Sequence, residues 1–156
     1  MTLTDTQNKI IAKASKKDIN GWHYLSVQGD PYEIGFQHGY LLTDEFRDAI
    51  RFYTHMTLEL YGMDYSFFVE QAVKMHKDKI PEEYMEEMQG MADGFTANGF
   101  ETSVDDIIGW NDWMELTGYW WHKLQPIILI IHLKVHVDPT APVLSQLVLQ
   151  LGMENR

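Results

Sequence analysis

The chain changes character near Gln125, and that boundary limits what it can fold into as a single unit. Residues 21–125 are acidic and punctuated by helix starts and stops, whereas residues 126–156 are apolar and carry only Lys134, Asp138, Glu154 and Arg156 as charges. A composition shift of this kind marks a boundary. Three segments are expected. Residues 1–20 are polar, with lysines at 9, 13, 16 and 17, and read as a mobile arm or a short helix. Residues 21–125 read as a helical region, and residues 126–156 as an atypical tail, irregular or β-like.

Local signals divide the helical region. Residues 22–28 alternate in side-chain character, the period of two that marks a strand. Asp30, Pro31 and Glu33 then open a helix: an acidic N-cap, a proline whose fixed φ suits the first turn, and a glutamate placed to close a capping box. One helix is expected from here to about Tyr61, where Gly62 offers a left-handed stop. A second runs from Asp64 or Ser66 to about Lys79. Pro81, with Glu82 and Glu83 in the first turn, opens a third, which ends near Asn98-Gly99. Ser103 and Asp106 form another capping box before a fourth helix, to about Trp121. The fold class is therefore mainly α: one N-terminal strand, then about four antiparallel helices.

Composition removes several functions. The net charge of −11 argues against nucleic acid and anionic membrane surfaces, both of which recruit Lys and Arg. No apolar run is long enough to span a bilayer, and residues 1–20 lack the apolar core of a secretory signal, so a cytoplasmic protein is expected. The 156 residues contain no cysteine, which excludes a disulfide scaffold, a thiolate metal site and a cysteine nucleophile within them. Ser26, Ser66, Ser103 and Ser145 lack the context of a nucleophile elbow.

The segment Gly29-Asp-Pro-Tyr-Glu-Ile-Gly-Phe-Gln-His-Gly-Tyr-Leu-Leu42 resembles a motif early in the autoproteolytic acyltransferase/hydrolase family. That family is typified by acyl-CoA:6-aminopenicillanic acid acyltransferase and includes phospholipase B-like relatives. Ile80-Pro-Glu-Glu-Tyr-Met-Glu-Glu-Met-Gln-Gly-Met-Ala-Asp-Gly94 looks like the family's proline-started helix. Val104-Asp-Asp-Ile-Ile108 and Trp110-Asn-Asp-Trp-Met-Glu-Leu-Thr-Gly-Tyr119 look like the helix before its processing site. The resemblance covers residues 21–124, in order. It implies the α-chain portion of an αββα N-terminal-nucleophile hydrolase: a precursor cleaves itself before a cysteine, whose α-amine then serves as general base. Acyl transfer or amide or ester hydrolysis on a small acylated substrate follows, with a catalytic β-chain as partner and no cofactor. The present chain holds no catalytic residue of that chemistry. Two other readings fit the residues: a non-catalytic helical binding module, or an α-subunit acting in trans.

Read residue by residue, the motifs are mostly structural. Gly35 and Gly39 lie four apart and permit close approach of another backbone. His38 reads as a satisfied core histidine, and Gln37 as a bond between helices. Glu82, Glu83, Glu86 and Glu87 make a solvated face, with no acidic loop or histidine completing a metal cage. Trp110, Trp113, Tyr119, Trp120 and Trp121 form an aromatic-rich end. Core packing accounts for it, and the resemblance adds that Trp113, Tyr119 and Trp120 line an acyl pocket in an intact enzyme. His132 and His136 lack a third ligand for zinc.

The genetic code bears on the missing cysteine. Read two bases later, permitted codons from Ala141 onward spell Ser-Cys-Leu-Val-Ala-Thr-Gly-Ser-Ala-Thr-Arg-Asp-Gly-Lys-Pro, with the cysteine codon straddling Pro142 and Val143. The family's nucleophile motif typically runs Cys, then Ala-Thr-Gly-x-Ala-Thr-x-Asp-Gly. Third bases are free at many positions, but Met153 followed by Glu154 must give glycine. Residues 126–156 are therefore expected to be translated out of frame.

Overall fold

The computed structural model describes residues 2–125. They are mainly helical, with one two-stranded antiparallel sheet. The chain divides into two compact units, Met1–Trp113 and Met114–Arg156. The expected tail, residues 126–156, lies outside the described residues.

In the first unit, the segment read as a mobile arm or a short helix carries a short helix and then a strand. Helix α1 (Asp5–Ile11) starts at Thr4, whose hydroxyl accepts from the Gln7 amide while the Gln7 side chain accepts from the Thr4 amide. Strand β1 (Ser15–Ile19) follows and pairs antiparallel with β2 (Trp22–Ser26), so the single expected strand is one half of a hairpin. The partner strand was hidden because β1 is Ser-Lys-Lys-Asp-Ile, a sequence with no apolar alternation. The hairpin is exposed almost throughout, with Trp22 at 72%. Lys16 reaches Glu45, and His23 Nε2 lies 3.5 Å from the same carboxylate oxygen.

Helix α2 (Pro31–Leu41) begins as expected, with the Glu33 amide donating to Asp30 Oδ1 at 2.8 Å. The capping box does not close, because the Glu33 carboxylate instead takes Lys13 Nζ at 2.6 Å. The long helix expected to reach Tyr61 is two helices. Leu42 leaves helical geometry at φ −113°, ψ 25°, and α3 (Thr43–Tyr61) starts afresh. Just after the break, the buried Thr43 hydroxyl donates to the Gly39 carbonyl at 2.8 Å. Helix α3 ends at Gly62, left-handed at φ 64°, as the sequence indicates.

Helix α4 (Tyr65–His76) passes through a 3₁₀ turn, Lys77–Lys79, to Pro81, which caps α5 (Glu82–Ala97). Helix α6 (Val104–Glu115) opens on the expected box: the Ser103 amide donates to Asp106 Oδ2 at 2.9 Å, and the Asp106 amide donates back to Ser103 Oγ. Lys77 Nζ pairs with Asp105 at 2.7 Å, and His76 lies 3.5 Å from Asp112, which ties α4 to α6.

The largest helix contact joins α2 and α5, which run parallel. Gly35 faces Glu87 and Gly39 faces Met91, while Gly90 faces Tyr32 and Gly94 faces Phe36, so both chains advance in the same direction. Four glycines, two four-residue pairs, meet backbone to backbone; a methyl on any of them would collide with a carbonyl of the other helix. Tyr32 Oη donates to Asp93 Oδ2 at 2.8 Å along the seam, and the Asn98 amide donates to the Tyr40 carbonyl at 3.0 Å. Desolvation, with the Asp93 carboxylate, pushes the Tyr32 phenol up to about 12. Beside this seam Phe46, Met91, Ala92, Phe95 and Ile107 form the core, with Phe46 and Phe95 stacked at 4.1 Å.

In the second unit the described residues are the end of α6, a π-helical turn at Leu116–Trp120, and a further helical stretch, 121–125. Leu116, Thr117 and Trp121 are buried.

Candidate functional site

The residues singled out in the sequence fall in different places. Gln37 is fully buried and spends its amide on structure: Nε2 donates to the Ile10 carbonyl at 3.1 Å and the Gln28 carbonyl at 2.8 Å, while Oε1 accepts from the Gln28 amide at 2.9 Å. It therefore joins α2 to α1 and to the loop after β2, not to another helix of the core. Trp113 packs on Tyr53 at 4.5 Å in the first unit. Tyr119 and Trp120 belong to the second unit and lie in the π-helical turn, Tyr119 being 75% exposed.

His38 departs from the expected satisfied core histidine. Its ring is half-buried and has no hydrogen-bond partner among the described residues. Desolvation lowers its pKa, with Glu87 opposing, so the imidazole is neutral at neutral pH. It lines two adjoining cavities. The inner one, about 120 Å³, is walled by Leu42, Phe46, Ala49, Met91 and Phe95, with His38, Glu45 and Trp110 as its polar members. The outer one, about 320 Å³, shares His38, Met91 and Trp110 and adds Tyr84, Glu87, Met88 and Asn111.

The elements explain this convergence. His38 follows the α2 glycine seam, which holds its turn against α5. Glu45 stands in the first turn of α3, placed by the break at Leu42. Trp110 comes from α6 and packs edge-on against Phe46 at 5.2 Å. Two polar atoms at the site are buried without a hydrogen-bond partner among the described residues: Glu45 Oε2 and Trp110 Nε1. The other Glu45 oxygen takes Lys16. Desolvation pushes the Glu45 carboxyl up, but hydrogen bonds from Lys16 and from its own backbone amide, with the charges of Lys16 and His23, together outweigh it and hold the carboxyl below its usual range.

No group of metal-ligating side chains is present among the described residues, and no helix among them is long and apolar enough to cross a membrane. The cleft combines an apolar floor, a neutral imidazole and two carboxylates, an arrangement suited to binding a small molecule. Its lining contains no serine, threonine, cysteine or lysine. The sequence pointed to His38 and Trp110 separately, but Glu45 and Asn111 carried no signal of their own: nothing local marks residues that meet across three helices.

Comparison with known proteins gives one distant relative. A protein of Archaeoglobus fulgidus, described only as uncharacterized, is 28% identical over 95 residues, which make up 57% of this chain and 16% of that protein. This chain thus matches a small part of a much longer relative. No protein-family model matches the chain, and no solved structure matches it.

Proposed function

We propose that this chain is the amino-terminal part of a self-processing cysteine hydrolase of the N-terminal-nucleophile kind, acting in acyl transfer or in amide or ester hydrolysis. One observation carries the reading. Permitted codons for residues 141–156 can spell, in a shifted frame, a cysteine motif in register, downstream of residues 21–124, where the resemblance calls for one. In the parent enzyme the freed cysteine attacks the acyl carbon, its α-amine takes the proton, and water or an amine resolves the thioester. The substrate is a small acylated compound, the catalytic β-chain is the partner, and the compartment is the cytoplasm. This chain alone is inactive, because its 156 residues hold no cysteine.

Two further facts support the proposal. The first two motifs of the resemblance, around Gly35–Gly39 and Gly90–Gly94, are the two halves of one packed seam, as motifs kept together for a common fold should be. The matched relative is far longer than the matched segment, which leaves room for a catalytic body.

The test is the nucleotide sequence from codon 120 to well beyond codon 156, followed by expression with the frame restored. The expected product splits into two chains, the second beginning with cysteine. A frame that closes with no cysteine motif overturns the proposal.

A further inference from the structure

We propose that the cleft between α2, α3, α5 and α6 binds a small primary ammonium ion carrying a short apolar or aromatic group. This site is built wholly from residues 38–111 and does not depend on the catalytic reading above.

Size sets the apolar part. The inner cavity is about 120 Å³, and an apolar cavity of about 150 Å³ accommodates a benzene ring. The inner cavity is somewhat smaller than that, so a short alkyl chain or a tightly held phenyl ring is the largest group it takes. Leu42, Phe46, Ala49 and Phe95 provide the apolar walls.

Charge sets the head group. Neither part of the cleft is lined by lysine or arginine, whereas each contains a carboxylate, Glu45 in the inner part and Glu87 in the outer. Lys16 engages one oxygen of Glu45 from the hairpin side, leaving Oε2 buried and without a partner among the described residues. Glu87 forms no ion pair among the described residues, and His38 contributes no positive charge while its ring is neutral. An anion entering here meets two carboxylates, one of them already paired with Lys16 from the hairpin side, and no lysine or arginine in the lining. An ammonium ion offers donors to the unpaired Glu87 carboxylate, Glu45 adds negative charge beside the inner part, and the indole of Trp110, shared by both parts, attracts a cation at its face.

The test is calorimetric titration of the full chain with phenethylamine and, separately, with hydrocinnamate, which keeps the ring and chain but ends in a carboxylate. The amine is expected to saturate with a Kd of about 1 mM or below, and the acid to bind at least about tenfold more weakly. Ala49→Leu, which fills the inner cavity, weakens the amine about tenfold. Glu87→Gln, a rim substitution of the same shape, narrows the preference for amine over acid. Should Ala49→Leu not fold, Glu87→Gln decides alone. Equal binding of amine and acid, no saturation by the amine with a natively folded chain, or an unchanged preference in Glu87→Gln overturns the proposal.

Discussion

Replacing Gly39 by alanine should destabilise the protein, although alanine is the better helix former. A methyl group on Gly39 would lie 2.9 Å from the Met91 carbonyl carbon and 3.0 Å from its Cα. Ordinary carbon–carbon contact is about 3.5–4.0 Å, so α5 must retreat by roughly 1 Å. It cannot do so locally, because Gly35, Gly90 and Gly94 hold the same seam equally close, and the stacked Phe46–Phe95 pair rests beside it. Overpacking of this kind costs about 1–3 kcal/mol, and more where the backbone itself must move. The clash is with backbone, which takes the cost to the upper end of that range or beyond; helix propensity returns about 1 kcal/mol, so the net loss is of the order of 1–2 kcal/mol. For a domain of this size that lowers Tm by roughly 4–8 °C. Circular dichroism melts and urea titrations of Gly39→Ala measure it, with Gly118→Ala as control, since nothing among the described residues lies within 4 Å of a methyl there. The reasoning is refuted if Gly39→Ala melts at or above the parent temperature, for then the seam is not close and propensity alone has acted.

Gln37→Leu should cost about 1–3 kcal/mol, because it strips partners from the Ile10 carbonyl and the Gln28 amide and carbonyl. Faster amide exchange at Gln28, with α3 and α5 still protected, is the expected signature; uniform loss of protection would contradict it. Asp30→Ala removes the cap of α2 and should cost about 1 kcal/mol, read as a shift in urea midpoint; an unchanged midpoint counts against the cap. His38 predicts a pH dependence. Desolvation lowers its folded pKa below the ordinary 6.5, so the unfolded chain takes up the proton first. Stability is then full above about pH 6.5 and declines as pH falls from there to the folded value. His38→Gln should abolish that decline while leaving the lower-pH loss from Glu45, whose folded pKa is depressed below 4.5. Identical slopes between pH 5 and 7 in parent and variant would show that His38 is not the group responsible.

Local chemistry in the sequence was enough to place most helix boundaries. Asp30-Pro31, Pro81, Ser103 with Asp106, and Gly62 act through atoms within a few residues of themselves, and the capping bonds and the left-handed stop are where those residues put them. Gly35 and Gly39 likewise announced that another backbone would come close. Three features were decided only by tertiary structure. The break at Leu42 leaves the helical periodicity across residues 31–61 uninterrupted, so that periodicity does not register it. Strand β1 exists because β2 offers it a ladder, although its own residues show no strand pattern. The direction of α5 along α2 depends on which glycine meets which carbonyl, and two four-residue spacings are as compatible with antiparallel as with parallel packing. The cleft follows from that last choice. His38, Glu45 and Trp110 share no local spacing, and they meet because a parallel glycine seam sets α5 close to α2 while α6 packs Trp110 against Phe46. Hydrogen bonds that cap a helix are short-range and legible in sequence, whereas the relative placement of three helices is set by packing between residues as far apart as 38 and 110.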